Sequence, residues 1–408
     1  MDAYFLTKRH RTLRERVRDF AETEVRPLIA EMEAERRVHH GLSRRIAEQG
    51  WLGVTIPQEY GGMGAGHVAK TVIVEELARV SGAMGAMVQA SQLGVAKLVH
   101  FGTEEQKRRW LPRVASGEVL PTIAVTEHES GGHVAGMRAT AVRDGDSYVL
   151  TGRKVYVGNS HVGDVHGVVA RTGPGSRGLT AFLVESGRDG FAVAGQESAL
   201  GLHGFSFGEL VFTGCRVPVE NRIGREGDGL SVAYSSSILY GRPNLTAVAL
   251  GVHQAILEET VAFCAERERY GKPLHHQPVV RDRIGRITSR LMTARLAAYH
   301  AVHLLDRGLA CDAELMNAKL VGVDSAVDSA REALEIQAAA GLFTSREVGR
   351  YLRDALHLFA PAGTSDVQRL RLAQMSMGLG GEPWSGRFSP AVRLEGHRRT
   401  EEEAAVPA

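Results

Sequence analysis

The chain has 408 residues, 43% hydrophobic and 24% charged, with a formal net charge of +2. That length exceeds the roughly 250–300 residues of a single core, so two or three domains are expected; the composition excludes extensive disorder, and the small net charge gives no field for nucleic acid or a membrane surface. Three scattered cysteines, Cys215, Cys264 and Cys311, exclude a disulfide framework and a cysteine metal site, and point to a reducing, cytoplasmic setting.

The first residues carry Lys8, Arg9, Arg11, Arg14 and Arg16 without an apolar core, which argues against a secretory signal. No run approaches the ~20 apolar residues of a bilayer span. Leu13, Val17, Phe20, Val25, Leu28 and Met32 recur at helical spacing and mark one amphipathic face, which Pro27 kinks or divides. Further helix is expected over 73–79 and 104–114, with a loop at Gly61, Gly62, Gly64 and Gly66.

The texture changes near Leu120. Short β-branched or alternating runs fall at 121–127, 139–143, 148–152, 154–157, 167–171, 179–184, 209–212 and 216–217, with turn signals such as Asp144-Gly145 and Gly173-Pro174-Gly175 between them. They predict a compact β-barrel or sandwich. Helical periodicity returns near Leu230. Val248, Val252, Ile256 and Phe263 mark one helix, ending near Gly271-Lys272-Pro273; Val280, Ile284, Ile287, Leu291 and Ala294 mark a second. Stretches 317–340 and 345–358 complete an expected four-helix bundle. The resulting expectation is an α+β multidomain chain: a helical domain over 1–119, a β-domain over 120–229, a bundle over 230–378 and an irregular extension over 379–408.

No Rossmann glycine spacing, P-loop or nucleophile elbow is present. The adjacent pairs His39-His40 and His275-His276 lack an H-E-x-x-H helix, so no metal is expected.

Six local runs then occur in one order. They are Gly50-Trp51-Leu52-Gly53 through Pro57-Gln58-Glu59-Tyr60-Gly61-Gly62; Gly102-Thr103-Glu104-Glu105-Gln106-Lys107 with Leu111-Pro112; and Ala124-Val125-Thr126-Glu127. Arg216-Val217-Pro218-Val219-Glu220-Asn221 with Gly224-Arg225-Glu226-Gly227, Arg267 to Pro273, and Gly363-Thr364-Ser365 with Gln368-Arg369 follow. Together they resemble the acyl-CoA dehydrogenase family over residues 10–375. The resemblance implies that family's fold: an N-terminal α-helical domain, a middle β-barrel domain and a C-terminal four-helix bundle. It also implies FAD as cofactor and a homo-oligomer, dimer or tetramer, whose subunits share FAD sites.

By the same resemblance, Val125 and Thr126, the loop residues Gly131 and Gly132, and the run Tyr156, Val157, Gly158 lie at the flavin ring. Arg267, Tyr270 and Gln277 reach the FAD pyrophosphate of a partner subunit. Gln337 and Gly341 sit near the same FAD, Thr364 and Asp366 meet its phosphate or adenosine end, and Arg242 lies at the substrate. Read without the family, Arg267 is a solvated helix end and Tyr156 an ordinary strand residue.

The departures from the family concern chemistry. Its base, a Glu before G-T-S, is Ala362 here, and the alternative position on the first bundle helix is Gly241. A positioned base matters because a thioester α-carbon is a weak acid. Gly131-Gly132-His133 stands for G-S-D, His128 for the proline of T-E-P, Gly158 for a hydroxyl at the flavin, and Ala340 and Phe343 for two glycines. Three readings follow. The first is an FAD-dependent oxidoreductase acting on an acyl thioester of CoA or a carrier protein, dehydrogenase-like, in secondary metabolism. Its base would be nonstandard, drawn from Tyr240, His133, Glu129 or His357. The second is a flavin-dependent monooxygenase or oxidase on the same fold, with Gly158 supplying space beside the flavin and Ala362 leaving room for a bulkier substrate. The third is a catalytically inactive flavin-binding partner.

Overall fold

The computed structural model describes residues 2–388; residues 389–408, most of the expected extension, lie outside the described residues. The first part is helical: α1 (Asp2–Phe5), α2 (Lys8–Phe20), α3 (Ile29–Glu35), α4 (His40–Glu48), α5 (Gly66–Val80), α6 (Gly82–Phe101) and α7 (Glu104–Ala115). Between α2 and α3 the chain loosens into a π-turn, Ala21–Val25, then tightens into a 3-10 turn, Arg26–Leu28. Pro27 therefore bends the helical path without ending it. Thr103 and Gln106 form a capping box at the start of α7. The Gln106 amide also donates to the carbonyls of Glu220 (2.7 Å) and Arg222 (2.9 Å), tying this helix to the β-domain.

The strands are β1 (Pro121–Ala124), β2 (Thr140–Asp144), β3 (Ser147–Gly158), β4 (Val165–Arg171), β5 (Leu179–Glu185), β6 (Phe191–Val193), β7 (Phe207–Pro218) and β8 (Arg222–Ile223). They run in the order β6-β7-β3-β2-β4-β5-β8, with β1 parallel to β4. This path has two ends and joins β2 to β4 through one pair, Thr140 with Arg171. The expected β-domain is thus a single eight-stranded sheet. Tyr148, Leu150, Phe182, Leu210, Phe212 and Val217 fill its core. β3 and β7 each merge two expected fragments, because register shifts at Leu150/Gly152 and Lys154/Val157 break the alternation that marks a strand in sequence.

The C-terminal part begins with α8 (Gly229–Ser235). It passes through a π-turn, Ser236–Gly241, into α9 (Arg242–Glu266). A hairpin of β9 (Glu268–Arg269) and β10 (Lys272–Pro273) leads to α10 (Pro278–Asp306) and α11 (Asp312–Gln337). The shorter α12 (Glu347–His357), α13 (Ser365–Ser376) and α14 (Trp384–Phe388) follow. The bundle is three long helices with α12 as a short fourth, and α5 packs closely on α9: a methyl at Gly251 would strike the Glu75 carbonyl. α11 stops at Gln337, earlier than expected, because Ala338 adopts φ 51°. By length and composition Gly229–Glu266 could cross a bilayer, but 67% of its apolar window is buried in this bundle, as in a core helix. The tail is not wholly irregular. Asp312 accepts from the backbone N–H groups of Trp384 and Ser385 (both 2.8 Å), docking α14 on the start of α11.

Candidate active site

Beyond β1 the chain continues beside β3. The Val155 N–H donates to the Thr126 carbonyl (2.9 Å), and the Lys154 ammonium donates to the Val125 carbonyl (3.0 Å) and the Glu127 carboxylate (2.7 Å). Glu127 also accepts from the N–H groups of Arg138 (2.6 Å) and Ala139 (3.0 Å). Both side chains are buried. Burial works to raise the Glu127 pKa, but Lys154 and the two N–H groups hold it below the usual carboxylate value. Burial pushes the Lys154 pKa down, against the pull of Glu127. No role was expected for either residue; a lysine amid the hydrophobic alternation of a strand is the one signal that could have found them.

Val125, Thr126, Tyr156, Val157 and Gly158 come together here, with the loop through Gly131 and Gly132 nearby. Methyl groups added to Gly131 or Gly132 would meet nothing within 4 Å. Tyr156, in a left-handed conformation (φ 56°) and 58% exposed, stacks on Phe207 (5.8 Å, 23°). Phe207 meets the edge of His357 (5.3 Å), and His128 meets Tyr156 edge-on (6.4 Å). Val157 faces the buried β core. Gly158 does not leave the space expected of it. A Cβ there would lie 2.9 Å from the Ala90 Cβ and 3.0 Å from the Phe205 ring, so α6 and Phe205 already fill that volume.

Ala362 and Gly241 lie against each other. A Cβ on Gly241 would stand 3.0 Å from the Ala362 methyl and 3.5 Å from Leu93 of α6. Ala362 thus faces the bare Cα of Gly241, and a side chain at 241 would crowd its methyl. Ala362 itself holds φ 55°, and its loop is fixed from behind. The buried Lys319 ammonium donates to the carbonyls of Phe359 (3.2 Å), Pro361 (2.5 Å) and Gly363, and the Gln368 amide donates to those of Ala362 and Gly363 (both 3.0 Å). Burial pushes the Lys319 pKa down to about 7, with the Arg242 charge adding to the shift. Arg242 is pushed down to about 10 by burial; Asp312 opposes that and Arg371 reinforces it.

None of the four alternative bases has a described contact with this spot. Tyr240 is fully buried on the side of α5: Lys70 lies 4.5 Å over its ring, His67 packs edge-on at 4.9 Å, and its hydroxyl is 3.4 Å from His100 Nε2. Burial pushes its phenol well above the usual value. His357 belongs to the aromatic stack, and burial lowers its pKa. His133 and Glu129 are exposed on the loop.

A second group gathers at the far end of the bundle. Arg267 precedes the hairpin, the 93% exposed Tyr270 lies in its turn, and Gln277 caps α10 half-buried. Gln337 donates to Glu259 (3.4 Å) while its buried carbonyl oxygen has no partner, and Gly341 is buried beside it. Thr364, which caps α13, and the exposed Asp366, which pairs with Arg369 (3.1 Å), lie instead beside the Ala362 loop, next to Asp324 of α11. No described hydrogen bond, ion pair or ring contact joins this group to the Tyr156 group. An exposed aromatic ledge beside an open glycine loop suits a flat ring, and an exposed guanidinium with an orphaned buried amide suits the polar end of a dinucleotide.

The chain matches the family descriptions "Acyl-CoA dehydrogenase, N-terminal domain" over residues 7–118, "middle domain" over 122–215 and "C-terminal domain" over 227–377. An acyl-CoA dehydrogenase of Bacillus subtilis is 34% identical over 376 residues, covering 91% of this chain and 99% of the relative. The butyryl-CoA dehydrogenase of Megasphaera elsdenii superimposes with a TM-score of 0.89 at 28% identity, covering 91% of this chain and 99% of that one. The prolyl acyl carrier protein oxidase AnaB does so with 0.86 at 27% identity, again covering 91% and 99%.

Proposed function

The chain belongs to the acyl-CoA dehydrogenase family and is an FAD-dependent oxidoreductase; from that premise we propose that it oxidises an acyl thioester with no carboxylate base at either usual position. The observation that carries this reading is the contact between Ala362 and Gly241. FAD, when bound, supplies the two-electron acceptor. The protein's part is to hold the ring on the Val125–Thr126 backbone and the Tyr156 ledge, and to bring the thioester α-carbon to the gap between Gly158 and Ala362. Leu93 and Ala90 of α6 line that gap on both sides.

With a methyl where a carboxylate stands in the family, the α-proton passes to solvent water without that help. Turnover of simple alkyl thioesters is accordingly slow. Arg267, Tyr270, Gln277, Gln337 and Gly341 at the far end hold the pyrophosphate of an FAD whose ring lies on a second copy, and Thr364 and Asp366, beside the Ala362 loop, meet a phosphate or adenosine end, making the enzyme a homo-oligomer. The 93% exposure of Tyr270 in a single chain supports this sharing. The thioester is carried by CoA or a carrier protein, the latter supported by the likeness to AnaB, and the setting is cytoplasmic secondary metabolism.

The test is anaerobic addition of acyl-CoA and acyl-pantetheine thioesters to the FAD-loaded enzyme. Loss of the oxidised flavin spectrum is expected. An unchanged spectrum, together with oxygen incorporated into product when the reduced enzyme meets air, would replace this reading with the monooxygenase. An enzyme inert in both assays would be a flavin-binding partner.

A further inference from the structure

Beyond Leu93, α6 runs onto the β-domain. A Cβ on Gly94 would lie 2.5 Å from the Pro121 carbonyl carbon, so α6 and β1 are in backbone contact there. Lys97, fully buried, crosses the same seam. Its stem passes over β4, where a Cβ on Gly167 would lie 2.2 Å from Lys97 Cδ, and its ammonium donates to the carbonyls of Gly94 (3.0 Å) and Thr122. Four lysines are buried among the described residues. Lys70, Lys154 and Lys319 each feel a carboxylate, that of Asp306, Glu127 and Asp324 respectively. Lys97 feels none, and burial alone pushes its pKa down, to about 7. On β4, His166 accepts from or donates to the Thr122 hydroxyl (2.7 Å); burial, reinforced by Lys97, pushes that ring down to about 3. On the next turn of α6 burial pushes His100 down to about 4. Both rings are therefore neutral near pH 7, and β1 itself, Pro-Thr-Ile-Ala, carries no titratable side chain.

A buried charge without a counter-ion is costly. A neutral amide could tie α6 to the Thr122 carbonyl equally well, so what the ammonium adds is its field. Thr122 lies in the strand that leads to Val125 and Thr126, three residues or about 10 Å further on. Across that distance, at an effective interior dielectric of about 20, a unit charge shifts an equilibrium that creates one opposite charge on the order of tenfold. Accepting a hydride gives a flavin one negative charge.

Resting on the placement of the ring at Val125–Thr126 given above, we propose that Lys97 is a positioning residue of this reaction: clamped between α6 and β1, its ammonium favours the reduced flavin over the oxidised one. The thioester becomes an enoyl thioester by losing a hydride from its β-carbon to the flavin and a proton from its α-carbon to water. The field of Lys97 eases the first transfer where no carboxylate assists the second.

The test equilibrates FAD-loaded enzyme, without substrate, against a redox dye at pH 6 and at pH 8.5, and reads the ratio of reduced to oxidised flavin by absorbance. At pH 6, Lys97→Met is expected to lower that ratio on the order of tenfold relative to wild type. At pH 8.5, where the wild-type ammonium has lost its proton, the difference is expected to vanish. Lys97→Gln, which keeps a donor for the Thr122 carbonyl, should behave as Lys97→Met does. A wild-type ratio in either variant at pH 6, or the same deficit at both pH values, would overturn the proposal. If one variant does not retain FAD the other decides, and loss of FAD from both would make Lys97 structural and overturn it too. Thr126→Val checks the placement of the ring. A shifted flavin spectrum there with no effect at Lys97 sinks this proposal alone, whereas an unchanged spectrum takes the ring off this backbone and both readings fall.

Discussion

Replacing Lys154 by Met tests whether the buried ion pair beside β1 positions the cofactor. In the wild type its ammonium has two oxygen acceptors, on Val125 and Glu127, and neither side chain of the pair reaches solvent appreciably. Breaking a buried pair from one side costs about 3–5 kcal/mol, because the abandoned charge stays desolvated. The two single changes should differ. Lys154→Met leaves Glu127 with its two backbone N–H donors, so the lower end, about 3 kcal/mol, is expected. Glu127→Leu leaves a fully buried ammonium with the Val125 carbonyl as its only oxygen acceptor, so the upper end is expected. The double variant should lose less than the sum, with a coupling of about 1–3 kcal/mol.

Both residues fix the Val125–Thr126 backbone, so FAD should leave at a lower denaturant concentration than global unfolding in each single variant. Urea titration followed by flavin fluorescence and by circular dichroism separates the two events. The reasoning is refuted if both singles unfold within 1 kcal/mol of wild type, or if FAD release and unfolding stay coincident. Lowering the pH should act in the same direction. Glu127 has a depressed pKa, so its contribution is present above the ordinary carboxylate value and is lost as pH falls through the folded value.

Ala362→Glu, facing the bare Cα of Gly241, should raise anaerobic flavin reduction by butyryl-CoA by roughly 10²–10⁴-fold; an unchanged rate despite thioester binding would place the α-carbon elsewhere. Gly158→Thr should destabilise the enzyme by about 1–3 kcal/mol through overpacking on Ala90 and Phe205. Adding Phe205→Ala should recover part of that loss in thermal melts. Arg267→Ala should lower flavin content and loosen assembly, read by absorbance and gel filtration; full loading would remove this residue from the cofactor site. Asp354, fully buried, has its pKa pushed up to about 6 by burial, against the pull of Arg350. Its stabilising effect is therefore complete below its unfolded value and is lost as pH rises through about 6. Asp354→Asn should accordingly gain melting temperature relative to wild type as pH goes from 5 to 8, and a constant difference would contradict the burial argument.

The family and its three-part order were legible because capping boxes, turn glycines and the loop runs around Gly61 and Gly363 are local in sequence. The helix that shapes the site was not. α6 is apolar on nearly every face, rich in Gly, Ala and Ser, and so lacks the 3.6-residue alternation that identifies a half-buried helix. β3 and β7 were visible only in pieces because their bulges reset the two-residue alternation. That Ala362 and Gly241 are not carboxylates is plain in the sequence, but their mutual contact depends on how α9 and the Ala362 loop meet, which no local pattern encodes. Phe205 gave no signal that it would occupy the space beside Gly158.

These contacts share one surface. Ala90 meets the Gly158 position, Leu93 meets Gly241, and the Gln89 carbonyl receives Asn244, so residues 89, 90 and 93 present one stripe of α6 to three distant segments. Departures that look independent in sequence are therefore coupled through one rigid helix. The coupling is asymmetric. Gly241 leaves the volume into which a longer side chain at Ala362 can extend, whereas Gly158 has no such room because Phe205 already stands there. A carboxylate should thus be restorable at residue 362 by one substitution, while a hydroxyl at residue 158 requires two.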